Sequence, residues 1–271
     1  MKHLEDMRAL VDLLLASSNF HSLIVEGAPG WGKSSAIDKL LREKSISFVA
    51  LGSYTTPLRL FQFLEKNPNG LVVIDDCAGI FGDSIAMSIL KAATWPSSGS
   101  DGTRLVTWGT TSEKLSTQEF FYDGKIILLT NLVPESGDGA AFTSRSLHYC
   151  VTPGPLEMEE LIHSVASTPS VFPNTALANE VANVLIERGR AANFRGVNLR
   201  TLQLGYEMAN TNPASWKILF QRLLPTADPF RLAYLSTSTT GTVEDQFREF
   251  HRATGLSRRT FFYYKSRESS K

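Results

Sequence analysis

One nine-residue stretch constrains the fold of this chain more than any other. It reads GAPGWGKSS and comprises Gly27, Ala28, Pro29, Gly30, Trp31, Gly32, Lys33, Ser34 and Ser35. The stretch matches G-x-x-x-x-G-K-[ST], follows the apolar run SLIVEG and opens a helical pattern, which is the context of a phosphate-binding loop. Glycines let the backbone bend so that successive N–H groups point at phosphate oxygens, and the helix N-terminus adds its positive end. We therefore predict a nucleoside triphosphate site here.

The residue types within this loop indicate a nucleoside triphosphate and Mg²⁺ as ligands. Lys33 is expected to reach the β- and γ-phosphates, and the Ser34 hydroxyl is expected to bind Mg²⁺. Trp31 is unusual inside such a loop and is expected to pack on a neighbouring element. A chance glycine-rich turn is the alternative, which the combination of strand, loop and helix disfavours.

A second apolar run, LVVIDDCAG, ends in two carboxylates. Asp75 is a candidate Mg²⁺ ligand, directly or through water, and Asp76 is a candidate to polarise the attacking water. Glutamate is more usual at the second place, so the shorter Asp76 predicts either slow hydrolysis or an adjusted geometry. The alternative is a pair of acids that cap a loop after an ordinary strand.

Apolar runs alternate with helical patterns up to about residue 152. Five runs are continuous rather than alternating, as parallel strands covered on both faces should be: SLIVEG, SFVALG, LVVIDD, KIILLTN and LHYCVTP. The order predicts an α/β fold with a doubly wound, parallel, five-stranded P-loop core at residues 1–152. Helical patterns without strands then predict a small lid at 153–212. A connector follows at 213–240, the tract 235–241 is a polar linker by composition, and a helix-turn-helix-like segment is predicted at 241–271.

Composition excludes several classes of protein. The chain has 271 residues, 42% apolar and 20% charged, with 27 basic and 27 acidic side chains, so nucleic acid binding requires a local basic surface. Residues 256–271 provide one, with five Lys or Arg and one Glu. Cys77 and Cys150 lack CxxC spacing, which excludes a zinc motif and a disulfide framework. Both side chains are expected to be buried. So few cysteines suit a reducing compartment, so we expect a cytoplasmic protein. The N-terminus predicts an amphipathic helix ending near Ser17 and neither a signal peptide nor a membrane span.

Three more polar residues are candidates for catalysis. Asn131 ends KIILLTN, level with the two aspartates, and can hold the lytic water or the γ-phosphate, or simply begin a turn. Arg145 precedes the last strand and is a candidate arginine finger for a neighbouring subunit, or an ordinary surface arginine. Arg200 begins the third lid helix and could contact the γ-phosphate; Arg195 is a competitor for that role, and a surface position is the alternative.

The order of these features resembles the AAA+ ATPases over about residues 20–212. The shared elements are the phosphate loop, the acidic strand, the strand tipped by Asn131, Arg145 before the fifth strand and Arg200 in a helical lid. The resemblance implies a sheet order of five-one-four-three-two and a nucleotide bound between core and lid. It also implies self-assembly into rings or arcs, in which the arginine finger Arg145 acts on the nucleotide of a neighbouring subunit. Asp76 departs from the commonest pattern, which puts the rate of hydrolysis in doubt.

The insert before Asn131 resembles that of phage, plasmid and other mobile-element ATPases, and more distantly that of superfamily-three helicases. TRLVTWGTT and EFFYDGK could pair as a hairpin, which makes Lys114 a candidate DNA contact. The favoured alternative is a surface loop that buries Trp108, Phe120 and Phe121.

The C-terminal segment, ATGLSRRTFFYYKSR, predicts two helices joined by a glycine turn. Thr242 with Asp245 is expected to cap the first helix, and Gly255 to end it. Phe261 and Tyr264 are expected to face inward, with the following side chains outward: Arg258, Arg259, Phe262, Tyr263 and Lys265. The pattern resembles helix-turn-helix segments of recombinases and phage regulators, which makes Arg258, Arg259 and Lys265 candidate DNA contacts. Docking of this helix on the lid is the alternative.

These features support more than one function. The first hypothesis is an oligomeric, Mg²⁺-dependent AAA+ ATPase that acts with DNA in replication, as a helicase or loader, or in a mobile element. The second is an ATP-switched, DNA-binding regulator with slow hydrolysis. A protein remodeller is a third, for which the sequence offers no visible substrate-binding domain.

Overall fold

A computed structural model describes residues 2–52, 55–75, 78–96, 102–109, 117–192, 194, 196–224, 229–238 and 241–269. The chain forms two compact units, Met1–Glu157 and Met158–Lys271. Within the described ranges, none of the helices is both long enough and apolar enough to cross a membrane.

The first unit alternates helices with parallel strands. Its elements are α1 (Lys2–Ala16), β1 (Ser22–Gly27), α2 (Lys33–Glu43), β2 (Phe48–Gly52), α3 (Pro57–Glu65), β3 (Leu71–Asp75), α4 (Ser84–Thr94), β4 (Leu105–Thr107), β5 (Glu119–Phe121), β6 (Lys125–Thr130), α5 (Gly137–Thr143) and β7 (Leu147–Val151). A 3₁₀ turn at Ala78–Gly82 precedes α4.

Five of the strands form one parallel sheet in the order β2-β3-β6-β1-β7. Read from the other edge and numbered within the sheet, this is five-one-four-three-two, as the resemblance implied. β6 lies between β3 and β1, and β7 forms an edge. The carboxyl ends of β1, β3 and β6 therefore lie side by side, where α/β sheets place their ligand sites.

Each inner strand sends alternate side chains to two separate cores. Val72 and Ile74 join one core, which includes residues of α3 and α4, whereas Leu71 and Val73 join the other, which includes residues of α1 and α2. Both faces of the sheet are thus covered by helices. This explains why the strand sequences are continuously apolar.

The insert before β6 pairs β4 with β5 in antiparallel fashion. Val106 is buried and Phe120 packs on the sheet core beside Trp108, as expected of a loop that buries aromatic side chains. The expected burial of Phe121 is wrong, because it lies on the opposite side of the short strand and is 62% exposed. Lys114 lies outside the described residues.

The second unit is helical. Its elements are α6 (Pro155–Ala166), which begins in the first unit, α7 (Thr175–Ala191), α8 (Leu199–Thr211), α9 (Trp216–Leu223), α10 (Pro229–Thr237), α11 (Val243–Thr254) and α12 (Arg258–Ser269). Helices α6 to α9 share one apolar core, and α10 to α12 share another, centred on Tyr234, Phe250, Phe261 and Tyr264. The tract 235–241 is not wholly a linker, since its first three residues belong to α10.

Candidate nucleotide site

The phosphate loop runs from the end of β1 to the start of α2. Gly27 lies so close to the end of β7 that a Cβ atom would sit 2.7 Å from the Val151 carbonyl oxygen. Gly32, the residue before α2, has a φ of 77°, in the left-handed region that favours glycine. The glycines in the pattern thus meet two local requirements: close packing against the neighbouring strand and a sharp entry into the helix.

Lys33 is the charged centre of this loop. Its side chain is 7% exposed, and Nζ donates hydrogen bonds to the carbonyl oxygens of Gly27 at 2.6 Å and Ala28 at 3.0 Å. Nζ also donates to Asn131 Oδ1 at 3.3 Å. A buried ammonium group requires such partners. The same positive group can bind phosphate oxygens that replace these partners.

Asn131 follows β6 directly, so the lysine and the amide meet across two adjacent strands. Asp75 ends β3 in register with Leu129 of β6, which places its carboxylate in the same row of strand ends. Ser34 and Ser35 lie exposed in the first turn of α2. An ammonium group, an amide, an exposed hydroxyl and a carboxylate form a donor set that fits a triphosphate with Mg²⁺. Asp76 lies outside the described residues.

Trp31 is 8% exposed, whereas Ala28 and Pro29 on the same loop are exposed. Its side chain is therefore packed into the unit. Trp31 provides an intrinsic fluorophore within the loop itself.

Arg145 lies two residues before β7, at the opposite end of that strand from the phosphate loop. It is half-buried, and its N–H bonds to the Phe142 carbonyl oxygen at 3.1 Å. Leu147 pairs with Leu23 and Val151 pairs with Gly27, so four residue steps of about 3.3 Å put roughly 13 Å between the two ends of β7. Arg145 and Lys33 of one copy are therefore not brought together.

Arg200 is exposed in the first turn of α8. Asn198 caps this helix, with Thr201 completing a capping box. Arg200 belongs to the second unit, whereas the phosphate loop belongs to the first. Arg195 lies outside the described residues.

Glu26 is a functional candidate that the sequence analysis did not single out. Its Oε1 accepts the Val133 N–H at 3.1 Å, and its Oε2 lies 2.8 Å from His148 Nε2. Glu26 directly precedes the phosphate loop, and its carboxylate links the segment after Asn131 to the edge strand β7. The available signal was a single charge inside the apolar run SLIVEG.

The expected burial of Cys150 is wrong. Its thiol is exposed on β7, which is an edge strand of the sheet. Partial burial, and then the nearby Glu26 carboxylate, raise the pKa of the thiol above its ordinary value. Cys77 lies outside the described residues.

At the C-terminus, the side chains of α12 divide into two faces as expected. Phe261 and Tyr264 are buried, whereas Phe262 is 41% exposed and Tyr263 is 53% exposed. Thr242 and Asp245 form the expected capping box, and Gly255 takes a φ of 71°.

The basic side chains of α12 differ in their surroundings. Arg258 pairs with Glu244 of α11 at 2.8 Å and lies over the rings of Phe247 and Phe262. Its guanidinium group therefore links the two helices. Arg259 is exposed, and Lys265 is half-buried beside Phe262.

Comparison of the sequence with known proteins finds a partial relative. No family model matches the sequence. A relative from Enterobacteria phage T4, an uncharacterized 36.7 kDa protein of the nrdC-mobD intergenic region, is 30% identical over 128 residues. The match covers 44% of this chain and 38% of the phage protein, so it spans less than half of either.

Comparison with solved structures identifies the fold of the chain. The RuvB Holliday junction branch migration motor of Thermotoga maritima matches with a TM-score of 0.51 and 11% identity, over 95% of this chain and 82% of that one. A variant of the same motor matches with a TM-score of 0.53 and 12% identity over the same shares. The chain has the AAA+ P-loop fold. At these sequence identities the structural similarity shows the fold and nothing about function. The C-terminal helix-turn-helix assignment stays a prediction.

Proposed function

We propose that this chain is a Mg²⁺-dependent ATPase that assembles with copies of itself and acts on DNA. The contact of Lys33 with Asn131 at the ends of adjacent parallel strands, beside the strand that ends in Asp75, carries the proposal. This arrangement supplies positive charge, a metal ligand and a polar amide at the carboxyl ends of neighbouring strands.

The residues around the loop have separable roles in this proposal. Main-chain N–H groups of residues 27–35 bind the phosphates, and Lys33 exchanges its carbonyl partners for phosphate oxygens. Ser34 and Asp75 hold Mg²⁺, which supplies charge neutralisation when bound. Asp76 orients the attacking water and accepts its proton, while Asn131 positions that water or the terminal phosphate.

A neighbouring copy completes each site. Arg145 lies at the far end of the edge strand from its own phosphate loop, so we assign it to the nucleotide of the adjacent subunit in a ring or arc. Arg200 contacts the γ-phosphate from the helical lid. Both assignments place a cation where charge develops during phosphoryl transfer.

The C-terminal helices provide the DNA contact in this proposal. Arg259, Lys265 and the exposed pair Phe262 and Tyr263 combine charge for phosphates with aromatic faces for sugars or unpaired bases. Arg258 contributes chiefly by holding α12 against α11. The structural similarity to RuvB of Thermotoga maritima, a branch migration motor of Holliday junctions, supports a DNA substrate. A cytoplasmic, mobile-element setting accords with the phage T4 relative.

The test is ATP hydrolysis with and without single- or double-stranded DNA. We expect Mg²⁺-dependent turnover that DNA stimulates, loss of turnover in Lys33→Ala, and loss of stimulation without residues 242–271. Trp31 fluorescence should report nucleotide binding in both the full chain and the shortened one. Site-specific DNA binding with negligible turnover would instead select the ATP-switched regulator. Failure of the purified chain to bind Mg·ATP would rule out both.

A further inference from the structure

A second group of metal-binding side chains lies beside the nucleotide site on the edge of the sheet. Glu26 of β1 and His148 and Cys150 of β7 have their ligand atoms within 4.8 Å of one another. The donors are a carboxylate, an imidazole and a thiol. Magnesium prefers oxygen ligands, so this group differs in kind from the Mg²⁺ ligands expected at Ser34 and Asp75.

The pairing of β1 with β7 brings the three side chains to one face of the sheet. Ile24 pairs with His148 and Glu26 pairs with Cys150, and residues two apart on a strand face the same way. The ligands are therefore held by backbone hydrogen bonding rather than by a loop. His148 and Cys150 are both exposed, which leaves room for an ion and for water as a further ligand.

The distances between the three ligand atoms suit tetrahedral coordination of one metal ion. His148 Nε2 lies 2.8 Å from Glu26 Oε2, and Cys150 Sγ lies 3.5 Å from that nitrogen and 3.7 Å from that oxygen. Zinc bonds of about 2.0–2.3 Å put tetrahedral ligands roughly 3.3–3.6 Å apart. Only the His148–Glu26 hydrogen bond must open, by about 0.5 Å, as the ion replaces its proton.

The surroundings also orient the carboxylate. Glu26 Oε1 accepts the Val133 N–H, which leaves Oε2 directed toward the other two ligands. Hydrogen bonds of this kind fix a ligand's position and raise metal affinity.

We propose that Glu26, His148 and Cys150 bind a borderline transition-metal ion, with Zn²⁺ the ion that best suits their donor set, at a site formed by strand pairing and not by the kind of zinc motif that the cysteine spacing excludes. Three protein ligands with an open position resemble sites where water completes the coordination. Because the ligands come from two strands, the ion ties the edge strand β7 to the strand that leads into the phosphate loop.

The test uses Co²⁺ as a spectroscopic substitute for Zn²⁺ on the full chain, with a non-thiol reductant and without nucleotide. We expect a thiolate-to-cobalt charge-transfer band in the wild type that Zn²⁺ bleaches. Cys150→Ser should abolish the band, and His148→Ala and Glu26→Gln should each weaken Co²⁺ binding by at least about tenfold. Cys77→Ser is the matched control, since it removes the other cysteine and should leave the band intact.

Thermal unfolding gives a second measurement that does not depend on spectroscopy. Zn²⁺ should raise the unfolding temperature of the wild type and of Cys77→Ser, and should leave Cys150→Ser unchanged. Circular dichroism of Cys150→Ser without metal verifies that the variant folds. The proposal is overturned if the band is absent, persists in Cys150→Ser, or disappears in Cys77→Ser. Since no nucleotide is present, none of these outcomes depends on ATPase activity.

Discussion

Two cationic side chains, Lys125 and Arg104, form hydrogen bonds to the main chain at the end of the sheet opposite the phosphate loop. Lys125 Nζ donates to the main-chain oxygens of Leu14 and Ser17, where α1 ends. Arg104 is buried and donates to the carbonyl oxygens of Ala93 at 2.8 Å and Gly124 at 2.9 Å. Each cation thus donates to one of the last carbonyl groups of a helix, which have no partner within that helix. Their positive charges also act on His21 nearby.

At the residue scale we predict acid sensitivity from His21. Burial, followed by the charges of Arg104 and Lys125, lowers the pKa of His21 from 6.5 to about 4. Between these values the unfolded chain binds a proton that the folded chain does not. The stabilisation from neutral His21 is therefore complete above pH 6.5 and is lost as the pH falls toward 4.

Urea unfolding of the first unit between pH 4.5 and 7.5 checks this prediction. The midpoint should fall with pH in the wild type and fall less steeply in His21→Gln. Equal slopes for the wild type and His21→Gln would contradict the assignment.

At the scale of elements, the contacts that hold α11 against α12 involve Arg258, one of the residues predicted to contact DNA. The capping box and Gly255 set the turn, while Arg258 bridges to Glu244 and covers Phe247. A guanidinium group engaged within the protein has fewer donors for phosphate. Arg258 and Arg259 are adjacent in sequence, yet their structural roles differ.

We predict that Arg259→Ala weakens DNA binding without changing the thermal unfolding temperature. The loss should be several-fold at low salt, and the slope of log affinity against log salt should decrease by about 1, because one phosphate contact disappears. Fluorescence anisotropy with labelled DNA over a salt series measures both quantities. Arg258→Ala serves as the comparison and should also lower the unfolding temperature, through loss of the α11–α12 contacts. An unchanged salt slope in Arg259→Ala would contradict its placement on DNA.

At the scale of the whole molecule, the position of Arg145 makes each copy incomplete in the proposed mechanism. The edge strand separates this arginine from Lys33 of the same chain. A site would then consist of a phosphate loop from one copy and a cation from the next.

Mixing two inactive variants tests this arrangement. Lys33→Ala retains Arg145, and Arg145→Ala retains the phosphate loop, so we expect neither to hydrolyse ATP alone. An equal mixture should recover about a quarter of the wild-type rate, because half of the copies keep the loop and half of their neighbours keep the arginine. Activity of the wild type should also rise with protein concentration. A mixture no more active than its components would contradict action in trans, provided both variants still assemble.

Local chemistry was sufficient to predict much of this protein from the sequence. The left-handed turn at Gly32, the continuous apolar strands, the capping box at Thr242 and the turn at Gly255 all depend on neighbours within a few residues. Because backbone conformation and side-chain periodicity are local properties, these features could be recognised without coordinates.

Long-range pairing was decided only by the tertiary structure. His148 is 122 residues from Glu26, and only the register of β1 with β7 brings the two together and leaves Cys150 exposed beside them. The contact of Arg258 with Glu244 and the exposure of Phe121 likewise depend on which element packs nearby. A short strand or a single cysteine carries no local signal for the face it presents. That choice is made by the elements that pack against the sheet.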